Sequence, residues 1–332
     1  MKFQRTWLFA AILLLICPGY AAAQQKKQET SAKIDTLIKA ALEGDPAALA
    51  NLGTMFLQGN VGPKDYEEAA KWLGPLAEGG DVVAQFFMGW MCLNGNGVPQ
   101  DYPKAARLLR TPAEKGNILA QFFLGEMYIR GYGVPQDHAR AAALFRKPAE
   151  QGNALAQSYL GLMYLNGSGI PRDPAEAAKW FRKAAEQGDA KAQSNLGALY
   201  LQGTGVPRDD AEAAKWFRKA AEQGNALAQS NLGALYLQGA GVPRDDAEAA
   251  KWSRKAAEQG DEIAQSMLGS ITKDPIEAYM WLTLSIAGPT AKQSPLFQQT
   301  ADLRASIAKK MTPQQIAEAQ RRAKQWKPKK AN

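Results

Sequence analysis

The feature that most constrains the fold is a Leu-Gly or Met-Gly pair that returns every 36 residues. Its glycines are Gly53, Gly89, Gly125, Gly161, Gly197, Gly233 and Gly269. A fixed period of this length is typical of solenoids, in which each unit buries its apolar face only by stacking on its neighbours. The register therefore predicts one structural unit repeated along most of the chain.

The first half of each unit is predicted to be a helix. In the fifth unit, Asp189 is placed to cap a helix over 190–202, and Gly203 is placed to end it. The loop that follows contains Gly205 and Pro207, which cannot continue the helix. A second helix must therefore begin after this loop.

The second half of the unit carries its own start and stop signals. Asp209 is a good N-cap with Glu212 three residues later, which is capping-box spacing, and Gly224 closes the helix at its C′ position. The same device recurs at Asp173, Asp245 and Asp274. One unit is thus a helical hairpin.

Both helices of the hairpin are amphipathic. Gly197 lies at the edge of the apolar face of the first helix, where the missing side chain permits close approach of another helix. The apolar stripe of the first helix is Ala192, Leu196, Leu199 and Tyr200, and that of the second is Ala213, Trp216, Phe217, Ala220 and Ala221.

The N-terminus has the pattern of a secretory signal peptide over 1–23. Lys2 and Arg5 form the charged region, an apolar run follows over 7–16, and alanines at 21–23 form the cleavage site. The apolar run is shorter than the ~20 residues that a membrane-spanning helix needs. We therefore expect export, with a mature chain that begins near Gln24 and resides in the periplasm or outside the cell.

The remaining boundaries follow from the repeat. We expect a capping helix within 24–44, a solenoid of about seven units over 45–288, and C-terminal capping helices with a basic tail over 289–332. The closing helices are predicted over 275–287, 295–311 and 313–326, the last capped by Thr312.

The net charge and its distribution indicate what kind of surface could attract this protein. The formal net charge of +8 falls to +6 once Lys2 and Arg5 are removed, and the C-terminal tail is basic. An exported protein is not expected to meet nucleic acid, so an anionic envelope surface is the electrostatic partner considered for the tail. The alternative is a solvated, frayed end. The tail residues are Arg321, Arg322, Lys324, Trp326, Lys327, Lys329 and Lys330.

From Ala192 to Gly224 the pattern A-x-x-x-L-G-x-x-Y-x-x-G-x-G-V-P-x-D-x-x-x-A-x-x-W-x-x-x-A-A-x-x-G resembles the Sel-1-like repeat family. The resemblance implies an all-α, right-handed α-solenoid of tetratricopeptide-like hairpins. It also implies an adaptor role in complexes, associated in exported bacterial members with the cell envelope. A cysteine-rich branch linked to β-lactams carries paired cysteines in its repeats, which this chain lacks.

Catalytic and metal-binding motifs are weak. Cys92 is the only cysteine after the signal peptide and occupies a position that is Tyr in other units, which predicts a buried, inert thiol. His138 is the only histidine and has no second His or Cys for zinc. Two S-x-x-K matches lack their companion motifs. We therefore predict no enzyme activity, metal or cofactor.

The candidate binding surface lies beside the apolar stripe of the first helices. We predict an aromatic ladder that holds a peptide, followed by amides that bond its backbone, since aromatic anchors with polar neighbours are typical of interfaces. The alternative is that these rings are inter-repeat core. The predicted residues are Phe87, Trp90, Phe123, Glu126, Arg130, Tyr159, Asn195 and Asn231.

These observations favour a monomeric, exported protein–protein interaction adaptor of the bacterial envelope that binds a peptide or protein in its concave groove. Two alternatives from other classes remain at this point. One is a glycan- or peptidoglycan-binding module, because aromatic rings also stack on sugars. The other is an envelope hydrolase, which needs a cleft of convergent ionisable groups that the sequence does not supply.

Overall fold

A computed structural model describes residues 36–40, 43, 45, 48, 63–289, 291–293 and 295–329. The predicted signal peptide lies outside the described residues, as does most of the predicted capping helix over 24–44, of which 36–40 are helical. The described residues are α-helical, with no strand among them.

The helices follow one another in hairpins. In each repeat, helix A is the first helix and helix B is the second. The helices are α1 (Pro63–Glu78), α2 (Val82–Asn94), α3 (Tyr102–Glu114), α4 (Ile118–Arg130), α5 (His138–Glu150), α6 (Ala154–Asn166), α7 (Pro174–Glu186), α8 (Ala190–Gln202), α9 (Asp210–Glu222), α10 (Ala226–Gln238), α11 (Asp246–Glu258), α12 (Glu262–Ile271), α13 (Pro275–Ala287), α14 (Phe297–Ala308) and α15 (Pro313–Gln325). A 3₁₀ turn, Ala291–Gln293, precedes α14.

The chain divides into two compact units, which we call the N-terminal unit (1–144) and the C-terminal unit (145–332). In the N-terminal unit, α2 packs against α3 and α3 against α4. In the C-terminal unit, the helices from α6 to α14 each pack on the next along the chain, and α15 packs on α13. Successive A helices also touch, as α6 does α8. Each unit is therefore a stack of hairpins, as the 36-residue register predicts.

Local capping sets the helix bounds. At the start of α8, Asp189 accepts a hydrogen bond from the backbone N–H of Ala192 at 2.6 Å, and Gly203 ends the helix in the left-handed conformation with φ 66°. Asp209 accepts from Ala211 and Glu212 at the start of α9. These bounds agree with the sequence prediction. Glu212 itself turns outward to Lys215 at 2.6 Å, so the reciprocal half of the predicted capping box is not made.

The glycine of the register is a packing device. A Cβ atom on Gly197 would lie 2.9 Å from Cδ1 of the Phe217 ring, too close for any side chain. Phe217 is fully buried against this glycine, on the second helix of the same hairpin. The predicted close approach of the two helices is confirmed, because the absent side chain is what lets the ring fit.

A second glycine position serves the loop. Gly205 has φ 72°, and a Cβ atom there would lie 2.2 Å from the carbonyl oxygen of Pro174, at the start of the preceding B helix. Both the conformation and the contact require glycine. The same contact recurs at Gly97, Gly133 and Gly241, so these loops rest directly on the backbone of the repeat before them.

Buried glutamines form a polar ladder through the C-terminal unit. Gln193 donates to the carbonyl oxygen of Ala185 at 3.0 Å and accepts from Gln223, of the following B helix, at 2.8 Å. The same pair of bonds recurs at Gln157 and at Gln229. Each amide thus joins three helices while satisfying its buried polar atoms.

The C-terminal helices close the stack. Thr312 caps α15 with a full capping box to Gln315, as its spacing predicts. Beyond α15, Trp326 packs edge-on against Trp281, with ring centroids 6.2 Å apart. The backbone N–H of Lys329 donates to the carbonyl oxygen of Glu258 at 2.8 Å, and its Nζ donates to the Glu258 carboxylate at 2.7 Å. Residues 326–329 therefore fold back on the last repeats, and Lys330 lies outside the described residues.

Within the described part of the chain, no helix has the length and apolarity required to cross a membrane.

Candidate interaction surface

The A helices of the C-terminal unit present an outward stripe opposite their buried face. On α6, Leu155, Tyr159 and Leu162 recur at i, i+4 and i+7 and therefore share one side of the helix. Leu155 is 51% exposed and Leu162 is 36% exposed. The buried side of the same helix carries Ala156, Leu160 and Met163.

The stripe continues on the A helices that follow. At the position of Leu155, Leu227 is 52% exposed and Ile263 is 47% exposed. At the position of Tyr159, Asn195 and Asn231 are half-buried. We call this surface the outward stripe: Leu155, Tyr159, Leu162, Asn195, Ala198, Leu227, Asn231, Ala234 and Ile263. It combines aliphatic side chains with amides, a composition suited to a protein or peptide surface.

Phe87 and Trp90, two members of the predicted ladder, are packed inside the N-terminal unit. Phe87 is 2% exposed and Trp90 is 7% exposed. The ring of Phe87 meets that of Phe86 edge-on at 5.1 Å, and Trp90 lies 6.0 Å from the ring of Tyr66. This placement corresponds to the alternative interpretation, in which the rings are inter-repeat core.

The other predicted residues of the N-terminal unit lie closer to solvent. Phe123 is half-buried and its ring stacks on Phe86, with centroids 6.5 Å apart. Glu126 pairs with Arg130 at 3.8 Å along one face of α4. The exposed guanidinium of Arg130 also lies over the ring of Tyr132 at 5.8 Å.

Tyr159, Asn195 and Asn231 belong to the C-terminal unit. Tyr159 is half-buried, and its ring stacks on Phe145 with centroids 5.0 Å apart and planes inclined by 17°. One ring face is therefore covered. The three residues occupy the same helical position in successive A helices, and each lies on the outward stripe.

The sequence analysis missed the exposed aliphatic residues of this stripe. Leu155 and Leu227 stand four residues before the predicted Tyr159 and Asn231, so helical spacing alone could have placed them on the same face. Ile263 occupies the same repeat position in the seventh repeat. The fifth repeat has Lys191 at this position. The signal in the sequence is the aliphatic residue that recurs at the second position of these A helices.

Neither a metal-binding cluster nor an exposed thiol is found among the described residues. Among the described residues, no three His, Cys, Asp or Glu side chains lie close enough together to hold a metal ion. Cys92 is buried at 2% exposure, and burial raises the pKa of its thiol, which keeps the sulfur protonated and unreactive. The buried thiol predicted from the sequence is confirmed.

Fold and surface together define a class of protein: a tandem-repeat α-solenoid built from helical hairpins. Matches to the Sel1 repeat model cover 46–81, 82–117, 118–153, 154–189, 190–225, 226–261 and 266–288. The chain belongs to the Sel1 repeat family. Proteins with this fold are commonly scaffolds for protein–protein interaction and are generally not catalysts.

Solved structures resemble this chain to different degrees. A Sel1 repeat protein from Oxalobacter formigenes is 30% identical, with a TM-score of 0.62 over 71% of this chain and 96% of that one. A protective antigen of uropathogenic Escherichia coli with an SLR fold is 31% identical over 88% of this chain and 78% of that one, with a TM-score of 0.37. An immunity protein from Pseudomonas aeruginosa is 23% identical over 62% and 74%, with a TM-score of 0.36. No functionally curated protein matches the chain.

Proposed function

We propose that this protein is an exported interaction adaptor of the bacterial cell envelope, and that a segment of a partner protein binds along its outward stripe. The observation that carries the proposal is the exposure of large aliphatic side chains on the A helices. Leu155, Leu227 and Ile263 are each about half exposed at one helical position. Single exposed aliphatics are common on protein surfaces, but repetition at one position of a stacked array makes a row.

The stripe offers two kinds of contact to a partner. Leu155 and Leu162 provide apolar area on one helix, and their burial by a partner would be favourable by about 25 cal/mol per Å². Asn195 and Asn231 provide amide donors and acceptors on the helices that follow. A peptide with spaced apolar side chains could satisfy both, its backbone bonding the amides.

Site-specific photocrosslinking in cells tests this assignment. A photoreactive phenylalanine analogue at Leu227 should capture discrete proteins, because this side chain is 52% exposed on the outward stripe. The same analogue at Glu186 is the matched control, since that residue is exposed at the end of a B helix. Equal capture at both positions, or capture at neither, would contradict the proposed surface.

Export rests on the N-terminal pattern, with its charged start, apolar run and alanine cleavage site. Fractionation should place the mature chain in the periplasm or the medium, with Gln24 as its first residue. Ala23→Asp should block processing and leave the longer form with the membrane or cytoplasm. An unprocessed wild-type chain in the cytoplasm would overturn this part of the proposal.

We also infer a monomer whose basic tail makes at most a weak contact with anionic envelope material. Arg321 and Arg322 both pair with Glu318, and Lys329 pairs with Glu258, so several tail cations already have protein partners. Retention on purified wall or anionic vesicles should fall steeply as salt rises. Retention that persists at high salt and excludes protein partners would favour a glycan-binding module instead.

A further inference from the structure

The N-terminal unit contains a cavity that is lined by none of the residues of the outward stripe. It has a volume of about 510 Å³ and lies between α3, α4 and the first half of α5. Aliphatic side chains, Leu124 and Leu144 among them, form part of its wall. Arg110 and Arg140, both exposed, also line the cavity, as does the hydroxyl-bearing Tyr128.

Departures from the repeat create this cavity. In the fourth, fifth and sixth repeats the position of Leu144 carries a tryptophan, and the position of Ala143 carries a lysine. Smaller side chains at both positions leave space that the larger ones fill elsewhere. The corresponding residues are Trp180, Trp216 and Trp252, and Lys179, Lys215 and Lys251.

The same departures reverse the charge at the cavity. Arg140 stands where the later repeats have Glu176, Glu212 and Glu248. Its guanidinium donates a hydrogen bond to the Tyr128 hydroxyl at 3.3 Å and forms an ion pair with Asp137 at 3.2 Å.

The hydrogen bonding of Tyr128 differs from that of its counterparts, and this difference affects Arg110. In the later repeats, the arginine at this position bonds the tyrosine hydroxyl of the next A helix, as Arg182 does with Tyr200 and Arg218 with Tyr236. At this cavity the Tyr128 hydroxyl is bonded by Arg140 instead. The guanidinium of Arg110 therefore lines the cavity without the hydrogen bond to a tyrosine hydroxyl that its counterparts make.

The surrounding surface is basic. Helix α3 carries Lys104, Arg107 and Arg110 against Glu114, a net charge of +2. The equivalent helix α9 carries three acidic and three basic side chains, a net charge of zero. Glu114 is the acidic residue among those that line the cavity, and two guanidinium groups oppose it.

We propose that this cavity binds an acidic segment of a partner protein, with one apolar side chain inserted between Leu124 and Leu144 and a flanking carboxylate on Arg110 and Arg140. Guanidinium groups bind carboxylates through paired, charge-assisted hydrogen bonds, and the apolar wall adds the area that a free anion lacks. The site shares no residue with the outward stripe, so the failure of either proposal leaves the other standing.

Fluorescence anisotropy with the full mature chain tests the proposal. The probes are labelled pentapeptides with four glutamates around a central leucine or phenylalanine, and the same peptides with four lysines. The acidic peptides should bind at least tenfold more tightly than the basic ones, more weakly at high salt. Binding with no preference for acidic peptides, or no binding to the wild-type chain, would overturn the proposal.

Two sets of variants locate the binding. Arg110→Gln with Arg140→Gln should weaken acidic-peptide binding at least tenfold. Arg182→Gln with Arg218→Gln removes the same number of cations in the C-terminal unit and should leave affinity within twofold. An equal loss in both double variants would mean that net charge alone attracts the peptide, and the assigned site would be wrong.

The cavity itself is tested by filling it. Leu144→Trp restores the residue that three later repeats carry and should weaken binding of the leucine and phenylalanine peptides at least fivefold. Ala143→Met is the second filling variant, because it adds volume without adding charge, and it is used if Leu144→Trp lowers the melting temperature. Unchanged affinity in a folded filling variant would show that no apolar side chain enters the cavity.

Discussion

One helical position behaves differently in the two units. In the N-terminal unit, Phe87 is 2% exposed and packs against Phe86, whereas its counterpart Asn231 in the C-terminal unit is half-buried on the outward stripe. Both residues lie on an A helix, and both helices are capped at the same point. The 36-residue register therefore determines the backbone, while the size of neighbouring side chains determines which positions become core.

The polar ladder shows a second contrast. In the C-terminal unit, Gln157, Gln193 and Gln229 each accept a hydrogen bond from a glutamine thirty residues later. In the N-terminal unit, the Oε1 atoms of Gln85 and Gln121 are buried without a partner. The uniform late repeats therefore satisfy their buried amides, while the diverged early repeats leave two oxygens unpaired.

The largest expected effect comes from truncating the buried ring. Phe87→Ala should destabilise the protein by about 3–5 kcal/mol, because it leaves a cavity in the core. Asn231→Ala, at the same position of a later repeat, should change stability by no more than about 0.5 kcal/mol. Urea unfolding followed by circular dichroism measures both. Similar losses for the two variants would remove the contrast between the units.

The polar ladder of buried glutamines gives the next largest effect. Gln229→Ala should cost about 1–3 kcal/mol, because it removes two buried hydrogen bonds, one donated to the Ala221 carbonyl and one accepted from the Gln259 amide. Gln85→Ala should cost less, because it also removes an unpaired oxygen. Amide hydrogen exchange in α10 and α2 compares the two. A greater loss for Gln85→Ala would show that the early glutamine is as well satisfied as the late one.

Glycine replacements give effects of opposite sign. Gly197→Ala should destabilise by about 1–3 kcal/mol, since the added methyl group meets the Phe217 ring at 2.9 Å. A Cβ atom on Gly74 in α1 would lie within 4 Å of no atom outside its immediate chain neighbours. Gly74→Ala should stabilise by up to about 0.5 kcal/mol through helix propensity, less than the full glycine-to-alanine difference because Pro75 follows. Thermal melting of both variants checks the signs. A stabilising Gly197→Ala would mean that the hairpin is less tightly packed than described.

The smallest effect is a pH dependence confined to the C-terminal unit. Hydrogen bonds from Arg321 and Arg322 lower the pKa of Glu318 to about 2 from 4.5. A lowered folded-state pKa adds stability above pH 4.5, and this stability is lost as the pH falls toward 2. Hydrogen exchange in α15 should accelerate over this range relative to α3. Glu318→Gln should flatten the dependence; an unchanged profile would assign it to other carboxylates.

Much of the fold was accessible from the sequence because its signals are local. Asp189, Gly203 and Thr312 act on backbone groups within a few residues, so the start and end of their helices could be predicted from spacing alone. The closing helix at 295–311 was predicted too long, since α14 covers only Phe297–Ala308. The register of glycines likewise predicted the close approach of Gly197 to Phe217, because it recurs with every hairpin.

The choice of side chains that remain on the surface depends on tertiary packing. Phe87 and Tyr159 share a helical position, yet the first is core and the second is half-buried against Phe145. The cavity beside Arg110 likewise depends on the volumes of Ala143 and Leu144, which lie on another helix. Burial is set by the side chains that neighbouring helices contribute, so a helical pattern specifies a face but not what covers it.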